Sequence, residues 1–251
     1  MELIQPGRAS AVQVHADAAA AARAVAERFA ALAAEAVEER GRFTVALTGG
    51  SSPREAYRLL GEEPFASRIP WEHVHLFWGD ERCVAPLHPR SNYAMAHAAF
   101  IAKVPVPRLN VHRIMGEVRP VDGASAYAEE MARVFDVGVP IFDLIHLGVG
   151  ADGHVCSLFP FDPLLTERVR NVGVSILRPL GEPRISLTVP VLNASARVEM
   201  IVMGRDKARI VRQVLRGPLD PFRIPAQLVR PIDGELAWTL DRDAASELEN
   251  G

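Results

Sequence analysis

The segment Gly148-Val149-Gly150-Ala151-Asp152-Gly153-His154 sets an acid and a histidine in a glycine-rich turn. Histidine titrates near neutrality, so an imidazole held in a cleft can take a proton from water. A lone histidine can equally be structural, and the residues by themselves leave both readings open. The segment also matches G-x-G-x-x-G, the dinucleotide fingerprint, without its context. That fingerprint opens a long helix and is followed about 20 residues later by an acid on the next strand. Here Pro160 and Pro163 interrupt the downstream stretch, residues 171–176 contain no acid, and the segment lies mid-chain. No nicotinamide cofactor is expected.

Two further loops carry chemistry. Thr48-Gly49-Gly50-Ser51-Ser52-Pro53-Arg54-Glu55 comes directly after an apolar run. Paired glycines let the backbone approach a ligand, and a helix N-terminus beyond them offers unpaired N–H groups to an anion such as phosphate. Ser52 to Glu55 also fits an S-x-x-E capping box with Pro53 at the first helical position, which needs no ligand. Gly79-Asp80-Glu81-Arg82, with Ser91-Asn92-Tyr93 downstream, offers two carboxylates and an arginine. Such a set can position sugar hydroxyls or do acid–base work. The same residues also fit a solvated turn with a local ion pair, and Ser91 fits a simple helix N-cap.

Other chemistries lack support. His73, His75 and His146 lie in strand-like patterns and are expected to be structural. No histidines, cysteines or carboxylates stand at metal-site spacing, so no metal is expected. There is no G-x-S-x-G elbow and no GxxxxGK[ST] loop. Cys83 and Cys156, the only two cysteines, read as small buried hydrophobes.

These loops need a frame. Apolar runs at residues 12–15, 43–48, 74–78, 143–149 and 198–203 read as strands, several apolar enough to be buried on both faces. Helical patterns occupy 16–40, ending at Gly41, and 54–60, 92–102, 123–135 and 207–215. Strands alternating with helices predict an α/β fold with a mostly parallel sheet, and ligands outside the strands' C-terminal ends. The proline-rich stretches 105–107 and 217–231 read as ordered surface connections. No repeat or polar linker divides the 251 residues, so one domain is expected over 1–251. Apolar residues form 49% of the chain and charged residues 24%, and the net charge of −3 argues against a general nucleic-acid binder. No apolar run approaches the ~20 residues of a membrane helix and the first ten residues lack a signal-peptide core, so a cytoplasmic location is expected.

Together the loops resemble the 6-phosphogluconolactonase family. The matching segments are Leu47 to Pro53, Phe77 to Arg82 with Ser91-Asn92-Tyr93, and Leu147 to His154 with Ser157-Leu158-Phe159-Pro160. Arg184-Ile185-Ser186-Leu187-Thr188 and Gly204-Arg205-Asp206-Lys207-Ala208 come next in family order. The departure is Val155-Cys156, where the family commonly has a small or hydroxyl pair. The resemblance implies a Rossmann-like three-layer αβα domain that hydrolyses 6-phosphoglucono-δ-lactone to 6-phosphogluconate in the pentose phosphate pathway. It implies that His154 is the general base, with Asp80 the second catalytic candidate. Gly49, Gly50, Ser51, Arg184 and Lys207 would hold the phosphate, Asp80, Arg82 and Asn92 would line the sugar end, and Asp152 and Gly153 would complete the binding set. A lactone is an activated ester, so no covalent nucleophile or cofactor is expected. The partner is a small sugar-phosphate lactone, with no nucleic acid, membrane or obligate protein partner.

Two rivals stand beside this reading. Glucosamine-6-phosphate deaminases look like relatives, but their histidine is followed by a Phe-Asn-Glu-Pro ending whose glutamate supports ring opening; Phe159 stands in that place here. The other is a non-catalytic sugar-phosphate-binding protein, either standing alone, which the retained histidine disfavours, or serving as the sensor of a DNA-binding regulator. With a strand near Val12 and a short tail after Leu240, room for a DNA-binding module is not expected.

Overall fold

The computed structural model describes residues 11–136, 138–175 and 181–248. β1 (Ala11–His15) leads into α1 (Ala18–Arg40), whose N-terminus is capped by the Asp17 side chain accepting from the Ala20 N–H at 2.8 Å. The helix ends at Gly41, whose N–H donates to the Val37 carbonyl, as the sequence predicts. Its alanines let it lie close on its neighbours, with Ala22, Ala26 and Ala33 fully buried. β2 (Phe43–Leu47), wholly buried, runs into α2 (Ser51–Leu60). The short α3 (Phe65–Arg68) precedes β3 (Val74–Trp78), and β4 (Asp80–Arg82) begins after Gly79 alone. Next come α4 (Asn92–Ala99), α5 (Pro120–Phe135) and β5 (Leu144–Leu147). β6 (Val172–Ser175), β7 (Arg184–Leu187) and α6 (Val189–Ala194) precede β8 (Arg197–Val202). α7 (Ala208–Arg216), β9 (Glu235–Asp241) and α8 (Arg242–Ala245) complete the described elements.

Six strands form one sheet in the order β1-β9-β8-β5-β2-β3, every pairing parallel. Parallel neighbours require crossovers, so helices cover the sheet faces and the fold is a three-layer α/β arrangement. Alternate residues of a strand face opposite layers. On β8, Ile201 packs with Ala22 and Val25 of α1 and Ala56 of α2, whereas Met200 and Val202 belong to the larger core that includes Ile210, Val211 and Val214 of α7. Among the described residues no helix is long and apolar enough to cross a membrane.

Several expectations shift. Residue 143 lies outside the strand: its carboxylate accepts from the Thr44 N–H at 2.7 Å and pairs with Arg40 at 2.9 Å, which ties β2 to β5. The helix expected over 92–102 stops at Ala99, and a separate 3-10 turn, Ile101–Lys103, succeeds it. Four strands were not read from the sequence. β9 sits between β1 and β8, and its residues Trp238 to Asp241 are all buried, Thr239 and Asp241 included. β4, β7 and β6 form a second, antiparallel sheet of three short strands, too brief for a period to register. Cys156 is buried as expected, but Cys83 is only partly so.

Candidate active site

β5, β2 and β3 are neighbours in the parallel sheet, so their C-terminal ends bring three loops together. That is where ligands bind in open α/β sheets. A single cavity there is lined by Gly49, Gly50 and Ser51 from the first loop, Asp80, Arg82 and Asn92 from the second, His154 from the third, and Arg184 and Lys207 from further along the chain. Asp152 and Gly153 are not part of the lining; they belong to the back of the His154 turn.

The first loop lacks the capping box. α2 begins at Ser51, so Pro53 is the third helical residue, no side chain caps the helix, and Ser52 Oγ accepts from the Met203 N–H at 3.2 Å. Glu55 pairs with Arg58 instead of reaching back, and that pair holds its carboxyl below the ordinary range. Gly50 has φ 104°, a left-handed conformation that disfavours other residues. The first turn of α2 therefore opens into the cavity with its N–H groups uncapped. Gly49 is required sterically: a Cβ there would lie 1.9 Å from Asn92 Oδ1.

The second loop is not a solvated turn. β4 pairs with β7, and Glu81 is buried, 3% exposed. Its carboxylate accepts from the N–H groups of Arg82, Asn92 and Tyr93 and from Ser91 Oγ, each at 2.8 Å. Burial pushes the Glu81 carboxyl up, against these bonds, which pull it down. Ser91 also accepts from the Ala94 N–H, so it is the expected N-cap of α4. Glu81 thus anchors the start of α4 and presents Asn92. Asp80 points the other way, into the cavity, accepting from Asn92 Nδ2 at 3.0 Å and from Ser157 Oγ at 2.5 Å.

The third loop is a closed turn: the Gly150 N–H donates to the His154 carbonyl and the Gly153 N–H to the Gly150 carbonyl, both at 2.9 Å. His154 Nδ1 lies 2.6 Å from Asp152 Oδ1. A carboxylate acceptor there calls for a proton on Nδ1, leaving Nε2 as the free basic nitrogen. Burial alone would raise the Asp152 carboxyl, but the hydrogen bond and charge of His154 together outweigh it and hold it below its ordinary range. The ring centroid lies 4.6 Å from that of Phe159, and a Cβ on Gly150 would come within 2.1 Å of Nδ1. The proline-rich stretch supports the turn from behind, the Ala226 N–H donating to the Gly153 carbonyl at 2.8 Å.

Arg82 and Arg184 are cross-strand partners on β4 and β7. The Nε of each is buried without a hydrogen-bond partner among the described residues. Burial, and then the neighbouring charge of Arg82, lower the Arg184 pKa. Arg82 is half-buried and donates through Nη1 to the Arg90 carbonyl at 2.5 Å, whereas Arg184 is buried, and the nearby carboxylates of Asp80, Glu182 and Glu81 offset only part of the cost of burying its charge beside another cation. Asn92 Oδ1 is likewise a buried acceptor without a partner among the described residues.

Sequence reasoning missed the supporting residues. Gly150 makes room for the imidazole, Ser157 holds Asp80, Glu81 holds Asn92, and Cys156, at φ 48°, forms part of the cavity wall. Ser157 and Cys156 lie in or beside the Ser-Leu-Phe-Pro segment, yet nothing in their types signals a contact with Asp80 or the cavity.

The chain is similar to several known proteins. A curated 6-phosphogluconolactonase of Synechocystis sp. is 38% identical over 218 residues, 85% of this chain and 88% of that protein. The crystal structure of the devB protein is 36% identical, with a TM-score of 0.88 over 96% of this chain and 100% of its own. A monomeric glucosamine-6-phosphate deaminase shares the fold at 18% identity, with a TM-score of 0.77 over 94% of this chain and 99% of its own. The family described as glucosamine-6-phosphate isomerases/6-phosphogluconolactonase matches residues 16–238, and the chain belongs to that family.

Proposed function

We propose that the protein hydrolyses 6-phospho-D-glucono-1,5-lactone to 6-phospho-D-gluconate, the lactonase step of the oxidative pentose phosphate pathway, by a water that His154 activates. The observation that carries the phosphate in this reading is the pair Arg82, half-buried, and Arg184, buried, each with a buried Nε unpartnered among the described residues, on the cavity that the uncapped start of α2 also lines. An anion with several acceptor oxygens matches that donor set, and Lys207 adds a cation to the lining of the same cavity. Relatives named 6-phosphogluconolactonase at 37% and 38% identity support the reaction.

In this mechanism Nε2 of His154 takes a proton from water as its oxygen adds to the lactone carbonyl. The ring oxygen then leaves as the tetrahedral species collapses and receives that proton from the imidazolium. Asp152 holds the ring in the required tautomer and stabilises its protonated form. Asp80 and Asn92 line the sugar end, their geometry set by Ser157 and Glu81. Remote phosphate binding orients the carbonyl, and a placed general base contributes typically ~10²–10⁴-fold.

Phe159 counts against the deaminase reading. It packs on His154 where that chemistry needs a carboxylate, and phenylalanine relays no proton. The test is lactone hydrolysis at slightly acidic pH, where the spontaneous reaction is slow, with ammonia release from glucosamine-6-phosphate measured alongside. Lactone loss that falls ~10²–10⁴-fold in His154→Ala with little change in KM supports the proposal. Ammonia release would favour the deaminase; inactivity in both assays would favour a binding protein.

A further inference from the structure

Behind the glycine loop a row of buried polar groups has no part in the chemistry above. The Thr48 N–H donates to Tyr57 Oη at 3.1 Å, and Tyr57 Oη lies 3.2 Å from His146 Nδ1. His146 Nε2 faces Glu199 Oε2 at 3.5 Å, the outer limit of a hydrogen bond, and neither atom has a better partner among the described residues. Glu199 Oε1 accepts from Thr239 Oγ1 at 2.5 Å and from Arg28 at 3.0 Å. Tyr57, His146 and Glu199 are each no more than 1% exposed.

The direction of the row is fixed by its ends. A backbone N–H only donates, so Tyr57 accepts from Thr48 and turns its own hydrogen to His146 Nδ1. Nδ1 must then accept, which puts the imidazole proton on Nε2, toward the carboxylate. Burial would push the Glu199 carboxyl up, but His146, Arg28 and Thr239 together hold it below its ordinary range. In a neutral imidazole, reversing the Tyr57–His146 bond would leave an unprotonated Nε2 facing the Glu199 carboxylate, one buried acceptor against another.

Its placement gives it a task. Thr48 directly succeeds β2, and Tyr57 lies on α2, beyond the loop at 49–50. Their bond closes the loop on itself, joining its entry to the helix it leads into. We propose that Tyr57, His146 and Glu199 are positioning residues that lock Thr48 to α2 and so hold the glycine loop in its anion-receiving shape. The consequence for substrate rests on the phosphate reading above; the locking itself does not.

Tyr57→Phe removes the hydroxyl and keeps the ring, and Glu199→Gln keeps the shape and removes the charge. Two measurements separate the parts. Hydrogen exchange in peptides spanning Thr48–Ser52 reads the lock without any substrate. KM for the phosphorylated lactone, against KM for unphosphorylated glucono-1,5-lactone, reads the consequence. Both variants are expected to exchange faster over 48–52 while β8 and β9 stay protected, and KM for the phosphorylated lactone should rise about five- to tenfold with the unphosphorylated one unchanged. Unchanged exchange at 48–52 in both variants overturns the positioning role. Faster exchange with equal KM for both lactones supports the lock and overturns the phosphate assignment of the loop. A uniform loss on both substrates, with exchange raised throughout the fold, marks the row as merely structural and also overturns the proposal.

Discussion

Arg82 and Arg184 stand opposite each other on adjacent antiparallel strands, two cations on one wall, with Arg184 only 4% exposed. Neither Nε finds a partner among the described residues. Like charges placed together at the expense of stability point to an anion that completes them.

Arg184→Met should therefore separate binding from folding. Charged hydrogen bonds contribute about 1.5–3 kcal/mol, so affinity for 6-phosphogluconate should fall roughly 10- to 100-fold. Removing one of two facing cations should leave the melting temperature of the ligand-free protein unchanged or raised. Calorimetric titration and thermal melts check both, and an undiminished affinity would remove Arg184 from the site.

Gly150 lies against the His154 imidazole, with room for no side chain: a Cβ would sit 2.1 Å from Nδ1. Gly150→Ala should push His154 out of position and lower kcat about 100-fold, the scale of a 1 Å misplacement. Ala151 and Asp152 leave the turn exposed, so the melting temperature should change little. Steady-state kinetics with a thermal melt on the same sample provide the check.

Glu81 touches four donors and is expected to matter for stability more than for turnover. Glu81→Gln turns an acceptor oxygen into a donor facing other donors. A loss of about 1–3 kcal/mol in urea unfolding is expected. KM should rise with it, because Asn92 loses its anchor.

His75 supplies a pH dependence. Burial, then the neighbouring charges of His112, Arg42 and His73, pushes its pKa down to about 4. It stacks on His112, their nitrogens 3.0 Å apart, and His112 in turn reaches Glu130 at 2.7 Å. A base with a depressed folded pKa is held neutral, so the unfolded chain takes up the proton first as pH falls. Stability should be fully present above about pH 6.5 and decline as pH drops from there toward 4. Glu130, held below its ordinary range by His112, adds loss in the same direction at lower pH. Melting temperatures measured from pH 7 to 4 should fall less steeply in His75→Gln than in the parent protein.

The parallel sheet, the three loops at its strand ends and the histidine on the third of them were legible in the chain, because each rests on local features. Apolar runs such as 43–47, helical periodicity such as that of α1 and glycine-rich turns are set by neighbours in sequence. The second sheet was not legible, because β4 and β7 become strands only by pairing with each other. Nor were the roles within the site. Asp80 and Glu81 are adjacent carboxylates, and nothing local assigns one to the cavity and the other to the N-terminus of α4. Strand geometry sends successive side chains to opposite faces, and tertiary packing decides which face meets the cavity. The same holds for Ser52, which fits a cap in sequence but accepts a bond from Met203, 151 residues away. Local chemistry determined which residues were available; the folding of distant strands onto one edge decided what each of them does.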